Sequence, residues 1–339
     1  MGQSADRDAK WTSAWYGNKR WVYALLPLEG LFRVVAYLRR AFIVLWRQVN
    51  VGVPVIVVGN ISVGGTGKTP LIIALVNRLQ ARGLKVGVIS RGYGSAAPQY
   101  PYVVSESSSA REAGDEPLSI WRATGCAVCI DADRVAAARI LKSAGCDVLL
   151  SDDGLQHYRL GRTLEIAVID AERGFGNGHC LPVGPLREPR ARLLSVDFVV
   201  VNQTSLEGDT TFPRHYYNMR LEPKHWFRVK DLSRLPLEHL SQGSHVHAVA
   251  GIGNPDRFFA TLSKLGLVSE CHIYRDHHTF TRDNFQFRQS LPVVMTSKDA
   301  VKCQSFAEPE WLALEVDAVL EKRFWPKFEH ELDTLFPYE

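Results

Sequence analysis

The sequence predicts an α/β fold: a parallel-sheet core built on a phosphate-binding loop, a second, smaller α/β lobe, and an N-terminal amphipathic helix. Three observations carry this. "VIVVGNISVGGTGKTPLIIALVNRLQARG" (55–83) reads as a buried strand, a glycine loop and an apolar-periodic helix. Apolar runs then alternate with helical patterns down the chain, the pattern of strands joined by crossover helices. Upstream, "LEGLFRVVAYLRRAFIVLWRQ" (28–48) separates leucines from arginines on a helical wheel.

The 339 residues suffice for two domains, and the composition (46% hydrophobic, 22% charged) is that of a globular chain without low-complexity tracts or repeats. The expected division is a helical, membrane-associating segment over 1–50, a nucleotide-binding core over 51–211, a connecting strand region over 212–230, and a smaller α/β lobe over 231–339. A net charge of +4 is too weak to imply a nucleic-acid groove, and no basic, aromatic-studded stretch supplies one. The basic excess is local: residues 1–50 hold eight Lys/Arg against three acids. Six scattered cysteines suit a reducing compartment. Cys126 and Cys129 form one C-x-x-C, but no second pair or suitably spaced histidines complete a zinc site, so both are expected as core thiols. The first twenty residues are polar and charged, with no signal-peptide core.

On a wheel at 100° per residue, Leu31, Leu38 and Leu45 share one face of 28–48 with Val34, Val35, Phe42 and Trp46. Arg33, Arg40, Arg47 and Glu29 fall opposite. A helix of this length is about 30 Å long, nominally enough to cross a bilayer. Crossing would bury Arg39 and Arg40 mid-membrane, at roughly 2.5–3.5 kcal/mol each. Lying in the interface avoids that cost and lets the arginines meet anionic headgroups. The alternative is a helix whose leucines pack on the main domain. The aromatic and basic stretch "WYGNKRW" (15–21) favours the membrane surface.

In the core, Gly67, Lys68 and Thr69 match G-x-x-x-x-G-K-[ST], with Ser62 where the first glycine usually stands. The strand before and helix after, with Pro70 in its first turn, make this a P-loop NTPase-like unit that binds ATP or GTP. Lys68 is expected on the β/γ-phosphates and the Thr69 hydroxyl on Mg²⁺. "KVGVIS" (85–90) gives the next strand and "DADRVAAARILKSAG" (131–145) a helix closed by glycine. "CDVLLSDDG" (146–154) delivers Asp152 and Asp153 at a strand's C-terminal end, either as Walker B acids for Mg²⁺ or as an exposed turn. "LEIAVID" (164–170) and "VDFVVVN" (196–202) extend the sheet. "SHVHAVAGIGNPDRFFATLSKLG" (244–266) and "LPVVMTSKDAVK" (291–302) build the smaller lobe.

Three motifs there are set aside. "GIGN" (251–254) lacks the rest of a dinucleotide fingerprint and reads as a plain turn. "TSKD" (296–299) has its lysine one place late for guanine recognition. "HVH" (245–247) lacks a third metal ligand.

Four further clusters place charged or imidazole groups in loop-like settings: "AGDEP" (113–117), "SDDGLQHYRL" (151–160), "GFGNGHCLPVGPLREP" (174–189) and "YRDHHTF" (274–280). A small-molecule kinase needs such groups: a base for the acceptor hydroxyl and positive charge at the transferred phosphoryl. Together with "NISVGGTGKTP" and "SRGYG", these segments resemble the tetraacyldisaccharide 4′-kinase family, in the family's order and from about residue 11 to 330. The resemblance implies transfer of the ATP γ-phosphate to the 4′-hydroxyl of a tetraacylated glucosamine disaccharide 1-phosphate, giving lipid IVA. It also implies a peripheral enzyme on the cytoplasmic face of the bacterial inner membrane. Nothing in the sequence calls for an obligate protein partner.

Carried onto this chain, the resemblance makes Asp115 the catalytic carboxylate and His277 its partner. Ser62, Gly64, Gly65, Thr66, Gly67, Lys68 and Thr69 form the nucleotide loop, with Thr69, Asp152, Asp153 and Glu188 around Mg²⁺ and phosphates. Glu116, His157 and Arg187 fill other polar positions, Arg187 beside the γ-phosphate. The family's Asp-His-x-x-Phe register selects His277 over His278. The rival reading is a membrane-positioning ATPase of the partitioning type, but Val63 stands where those proteins carry a signature lysine.

Overall fold

The computed structural model describes residues 10–17, 19–203 and 216–335. The expected boundary at 211/212 and the start of the connecting segment lie outside them. A short helix α1 (10–16) and a 3₁₀ turn (Arg20–Leu25) lead into α2 (Leu26–Trp46). The first half of the sheet follows: β1 (Val55–Gly59), α3 (Lys68–Ala81), β2 (Val86–Ser90), β3 (Tyr102–Val103), α4 (Ala110–Ala113), α5 (Asp115–Thr124), β4 (Ala127–Ile130), α6 (Arg134–Ser143), β5 (Val148–Asp152), β6 (Leu164–Asp170) and β7 (Phe198–Asn202). The second half comprises β8 (Tyr216–Arg228), β9 (Arg234–Leu235), β10 (His245–Ala250), α7 (Pro255–Lys264), β11 (Val268–Ile273), β12 (Val293–Thr296), α8 (Ser297–Cys303), β13 (Leu312–Leu320) and α9 (Phe324–Leu335).

One sheet runs through both halves among the described residues, in the order β11-β10-β12-β13-β8-β7-β6-β1-β5-β2-β4-β3. Its pairs are parallel except β13–β8, β8–β9 and β3–β4. The long β8 is the bridge: its start pairs with β7, and nearly its whole length pairs antiparallel with β13.

Strands buried on both faces read as continuous apolar runs, as in β1, and their alternate residues feed different cores. Ile56 and Val58 join α3 and α9, whose Phe324 and Phe328 pack on Phe198 of β7. Val55 and Val57 join α6 on the opposite face. Each such side chain contributes about 1.5–3 kcal/mol by leaving water. The lower-numbered cysteines behave as expected: Cys126 and Cys129 are buried thiols, held up at about 11 and about 12 by burial.

Helix α2 presents to the protein the face that the wheel made polar. Glu29 is buried and accepts hydrogen bonds from the Cys180 amide (2.8 Å) and His179 Nδ1 (2.8 Å). Phe32, Ala36 and Ile43 are half-buried on the same side, and the Arg40 guanidinium lies 5.0 Å from the Tyr158 ring centre. Glu29 and Arg40, which the wheel sets opposite the leucines, are thus held by the protein: a carboxylate with two donors and a guanidinium over an aromatic ring pack well. The leucines point the other way, with Leu31, Leu38 and Leu45 at 61%, 59% and 73% exposure. The packing of those leucines on the main domain does not occur.

Candidate active site

At the end of β1, between β5 and β6, the chain turns back through Asn60–Gly67 into α3. Gly64 and Gly67 take φ of +99° and +89°, conformations that a side chain resists. A Cβ on Gly67 would also collide with the Asn202 amide at the end of β7. The loop is braced by Asn60 Nδ2 donating to Gly64 O (3.2 Å), Asn202 Nδ2 to Thr66 O (3.1 Å) and the Val63 amide to Pro185 O (2.9 Å). Ser62 is buried and bridges to Leu186. No side chain caps the N-terminus of α3, which leaves its first amides for an anion. Thr69 sits in this first turn. Lys68 Nζ lies 3.3 Å from Asp153 Oδ1 and 3.4 Å from Asn60 Oδ1.

The two aspartates after β5 have opposite environments. Asp152 is buried, accepts from Ser90 Oγ (3.2 Å), and is pushed up to about 7 by burial and by the Glu116 charge, against the pull of Lys68. Its Oδ1 has no hydrogen-bond partner among the described residues. Asp153, at φ +48°, would also be raised by burial, but Lys68 and Arg187 (Nη1 to Oδ2, 3.0 Å) hold it at about 2. The exposed-turn reading of this pair does not hold.

Asp115 and Glu116 form the first turn of α5 rather than a loop, an outcome "AGDEP" conceals because Gly114 (φ +86°) breaks the chain from α4 just before it. His277 Nδ1 lies 3.1 and 3.0 Å from the two Asp115 oxygens. His277 is held at φ +58°, a strained conformation for a non-glycine residue. Burial would raise the Asp115 carboxyl, yet the His277 hydrogen bond, with Lys298 and Lys302, holds it below its usual range. The same hydrogen bond raises the imidazole, so His277 stays protonated to higher pH than a free histidine. His278 instead stacks on Tyr274, with ring centres 4.7 Å apart.

Two of the set-aside motifs enter this site. Lys298 of "TSKD" is salt-bridged to Glu116 (2.9 Å) and Asp276 (3.1 Å), and lies 3.9 Å from Asp115. The "GIGN" turn is more than a plain turn. Gly253 abuts the backbone of Gly65, and its carbonyl accepts from the Arg173 guanidinium. Arg257 Nη2 reaches Asp170 Oδ1 (3.0 Å) across the same gap. Between the halves lies a cavity of 340 Å³ lined by the phosphate loop, Glu116, Asp170, Asn202, Asp276 and Lys298.

The structure thus joins Lys68, Asp153 and Arg187 in one network, and Asp115, Glu116 and His277 in another through Lys298. Of the expected site residues, Asp115, Asp152, Asp153, His157, Arg187, Glu188 and His277 are not part of the cavity lining, and Glu188 is held by neighbours of its own. It accepts from Gln156 Nε2 (2.7 Å) and the Tyr158 hydroxyl, and faces Arg192 Nε at 3.5 Å. Among the described residues His157 Nε2 has no hydrogen-bond partner, and the ring is drawn down to about 4 by burial and Arg134. Sequence reasoning did not select Lys298, Asp276, Asp170 or Asn202. Asp170 and Asn202 carried the signal that flagged Asp152, a polar residue at the C-terminal end of a buried strand.

A phosphate loop at the end of a parallel strand, acids on the adjacent strand end, and a carboxylate–imidazole pair whose chain neighbours Glu116 and Asp276 line one cavity with that loop define a P-loop phosphotransferase. The family model for tetraacyldisaccharide-1-P 4′-kinase matches residues 21–335, and the chain belongs to that family. It is 48% identical over 326 residues to the tetraacyldisaccharide 4′-kinase of Pseudomonas aeruginosa, covering 95% of this chain and 97% of that one. The Azotobacter vinelandii enzyme of the same name is 48% identical over 325 residues, covering 95% and 96%. Among solved structures, LpxK from Aquifex aeolicus in complex with ATP superposes with a TM-score of 0.79 at 27% identity, covering 93% of this chain and 99% of that one.

Proposed function

We infer that this chain transfers the γ-phosphate of ATP to the 4′-hydroxyl of tetraacyldisaccharide 1-phosphate, producing lipid IVA for lipid A biosynthesis. The carrying observation is the Asp115–His277 pair, whose neighbours Glu116 and Asp276 line one cavity with the phosphate loop, in a chain of this family. The acceptor oxygen bonds to the γ-phosphorus as the bond to the β-phosphate bridging oxygen breaks, and ADP leaves. Asp115, ionised by its cationic surroundings, takes the hydroxyl proton, and His277 Nδ1–H orients the carboxylate. Lys68 and Arg187 neutralise charge on the phosphates.

The residues present fit Mg²⁺, a hard cation held by carboxylates and phosphate oxygens: Asp152 Oδ1 is buried with no hydrogen-bond partner among the described residues, and Thr69 lies in the first turn of α3. Bound there by Asp152 and Thr69, with Asp153 and Glu188 in the surrounding acid set, the ion would neutralise the β- and γ-phosphates. Incubation with ATP, Mg²⁺ and the disaccharide 1-phosphate should add one phosphate to the glycolipid by mass spectrometry. ATP turnover indifferent to the glycolipid would instead favour the partitioning-type ATPase.

A substrate with four acyl chains stays in the bilayer, so the enzyme must come to it. Helix α2 is the docking surface of a peripheral enzyme, on the cytoplasmic face of the inner membrane where ATP is available. It is long and apolar enough to cross a membrane, but Arg39 and Arg40 near its centre favour the interfacial position. Its outward leucine stripe is the support for this reading. Replacing exposed Arg33, Arg39 and Arg47 by Glu, sparing Arg40 on Tyr158, should weaken binding to anionic vesicles on the order of 100-fold at low salt, given about 1 kcal/mol per basic residue. Replacing Leu31, Leu38 and Leu45 by Ser should release the protein at any salt. Vesicle cosedimentation unchanged in both variants would remove the docking assignment.

A further inference from the structure

We propose that His247, Glu270 and His272 form a three-ligand site for a zinc-class divalent cation on the outer edge of the sheet. Strand β10, which carries "HVH", supplies no third ligand of its own. The parallel pairing of β10 with edge strand β11 supplies it: His247 is in register with Glu270, and His272 lies two residues further on the same face.

The three donor groups converge at the spacing a small ion requires. His247 Nδ1 lies 3.1 Å from His272 Nε2 and 3.4 Å from Glu270 Oε2, and His272 Nε2 lies 3.9 Å from Glu270 Oε1. A tetrahedral ion with bonds of about 2.0–2.1 Å sets its ligands about 3.3 Å apart. The Gln289 carbonyl selects the Nε2–H tautomer of the neutral His247 ring. Its Nε2 is 2.9 Å from the Gln289 carbonyl, which can only accept, so Nε2 carries the hydrogen and Nδ1 is a bare lone pair. Without metal that lone pair accepts from His272 Nε2–H (3.1 Å), and with the hydrogen displaced both nitrogens and the Glu270 carboxylate face one point that a cation can fill.

The surroundings match those of built metal sites. The Gln289 carbonyl orients a ligand ring as an outer-shell partner. Phe287 packs on both imidazoles, with ring centres 4.0 Å from His247 and 4.2 Å from His272. His247 is buried, whereas the Glu270 side chain is 56% exposed, which gives an ion a way in and leaves a fourth position for water. Two imidazoles and one carboxylate suit Zn²⁺ and its neighbours; Mg²⁺ prefers an all-oxygen shell. An ion here would tie β11 to β10 and, through Gln289, to the segment following the 3₁₀ turn Arg282–Phe285.

The test uses tag-free, full-length protein stripped with chelator, in excess Mg²⁺ to occupy the oxygen sites. Titration of Zn²⁺ against a chromogenic chelator should find one tight equivalent. Glu270→Ala and His272→Gln, at the more accessible ligands, should each weaken it by at least about 10–100-fold, the loss that even an outer-shell partner causes. His245→Ala, two residues before His247, should leave it unchanged. Zn²⁺ should raise the Tm of the native protein and of His245→Ala, but not of the two ligand variants. Co²⁺ in place of Zn²⁺ should give the intense visible bands of a four-coordinate ion, lost in His272→Gln. Absence of a tight equivalent, equal affinity in His272→Gln, or a weak six-coordinate Co²⁺ spectrum would overturn the site and leave an ordinary His–His hydrogen bond.

Discussion

Lys68→Ala is expected to abolish useful turnover, lowering kcat/KM by at least about 10²–10³-fold, the usual cost of removing a group aimed at developing charge in a dry site. Lys68 starts α3, and its ammonium is the cation shared by Asp153 and the loop residue Asn60. Without it, Asp153 keeps only Arg187, its carboxyl rises from about 2, and the nucleotide's phosphates meet a less positive site. Both kcat and ATP affinity should therefore fall. The fold should persist, since the loop's braces run through Asn60, Val63 and Asn202 rather than the lysine. Steady-state kinetics with a thermal melt as control decides it. Near-normal activity with an unchanged melt would remove the phosphate-loop assignment.

Asp115→Ala and His277→Ala should each lower kcat by roughly 10²–10⁴-fold, with little change in ATP affinity. The double variant should lose far less than the product of the single losses, because either deletion already disables a pair joined at 3.0–3.1 Å. His278→Ala, on the Tyr274 stack, is the control and should be mild. The pH profile gives a second readout. His277 is among the groups that hold the Asp115 carboxyl low, so His277→Ala should move the acid limb of kcat to higher pH. The linked stability runs the other way. His277 has a raised folded pKa, so its contribution is complete below about 6.5 and is lost as pH rises through the folded value. Multiplicative losses, a stationary acid limb, or a greater loss from His278→Ala would sink the dyad and leave the kinase assignment standing.

The phosphate loop was legible because everything that makes it is contiguous, from β1 (Val55–Gly59) to the start of α3 at Lys68: an apolar run, glycines, Lys-Thr and a helix start. The dyad was not legible from local pattern. Its members lie 162 residues apart, and only the family resemblance paired them. Lys298 was hidden by being weighed against a base-recognition motif, when its role is to join Glu116 and Asp276 by charge. Strand β11 carries no clean apolar alternation, being an edge with Val268, Glu270 and Ile273 exposed, so the sequence concealed which residues stand beside His247. The continuous sheet was similarly obscured. The pairing of β8 with β13 joins segments about ninety residues apart, and no periodicity announces a partner at that distance.

The proposed docking through the outward leucines of α2 would also set the kinetic frame in which this enzyme is measured. A catalyst held on a surface by such a stripe encounters its acceptor by lateral diffusion, so the governing variable is the mole fraction of glycolipid in the interface rather than its molarity. Diluting the substrate with inert detergent at constant bulk concentration should slow the reaction. Adding interface and glycolipid together, at constant ratio, should leave the bound enzyme's rate unchanged. A KM expressed per litre would then describe the micelle chosen for the assay as much as the protein.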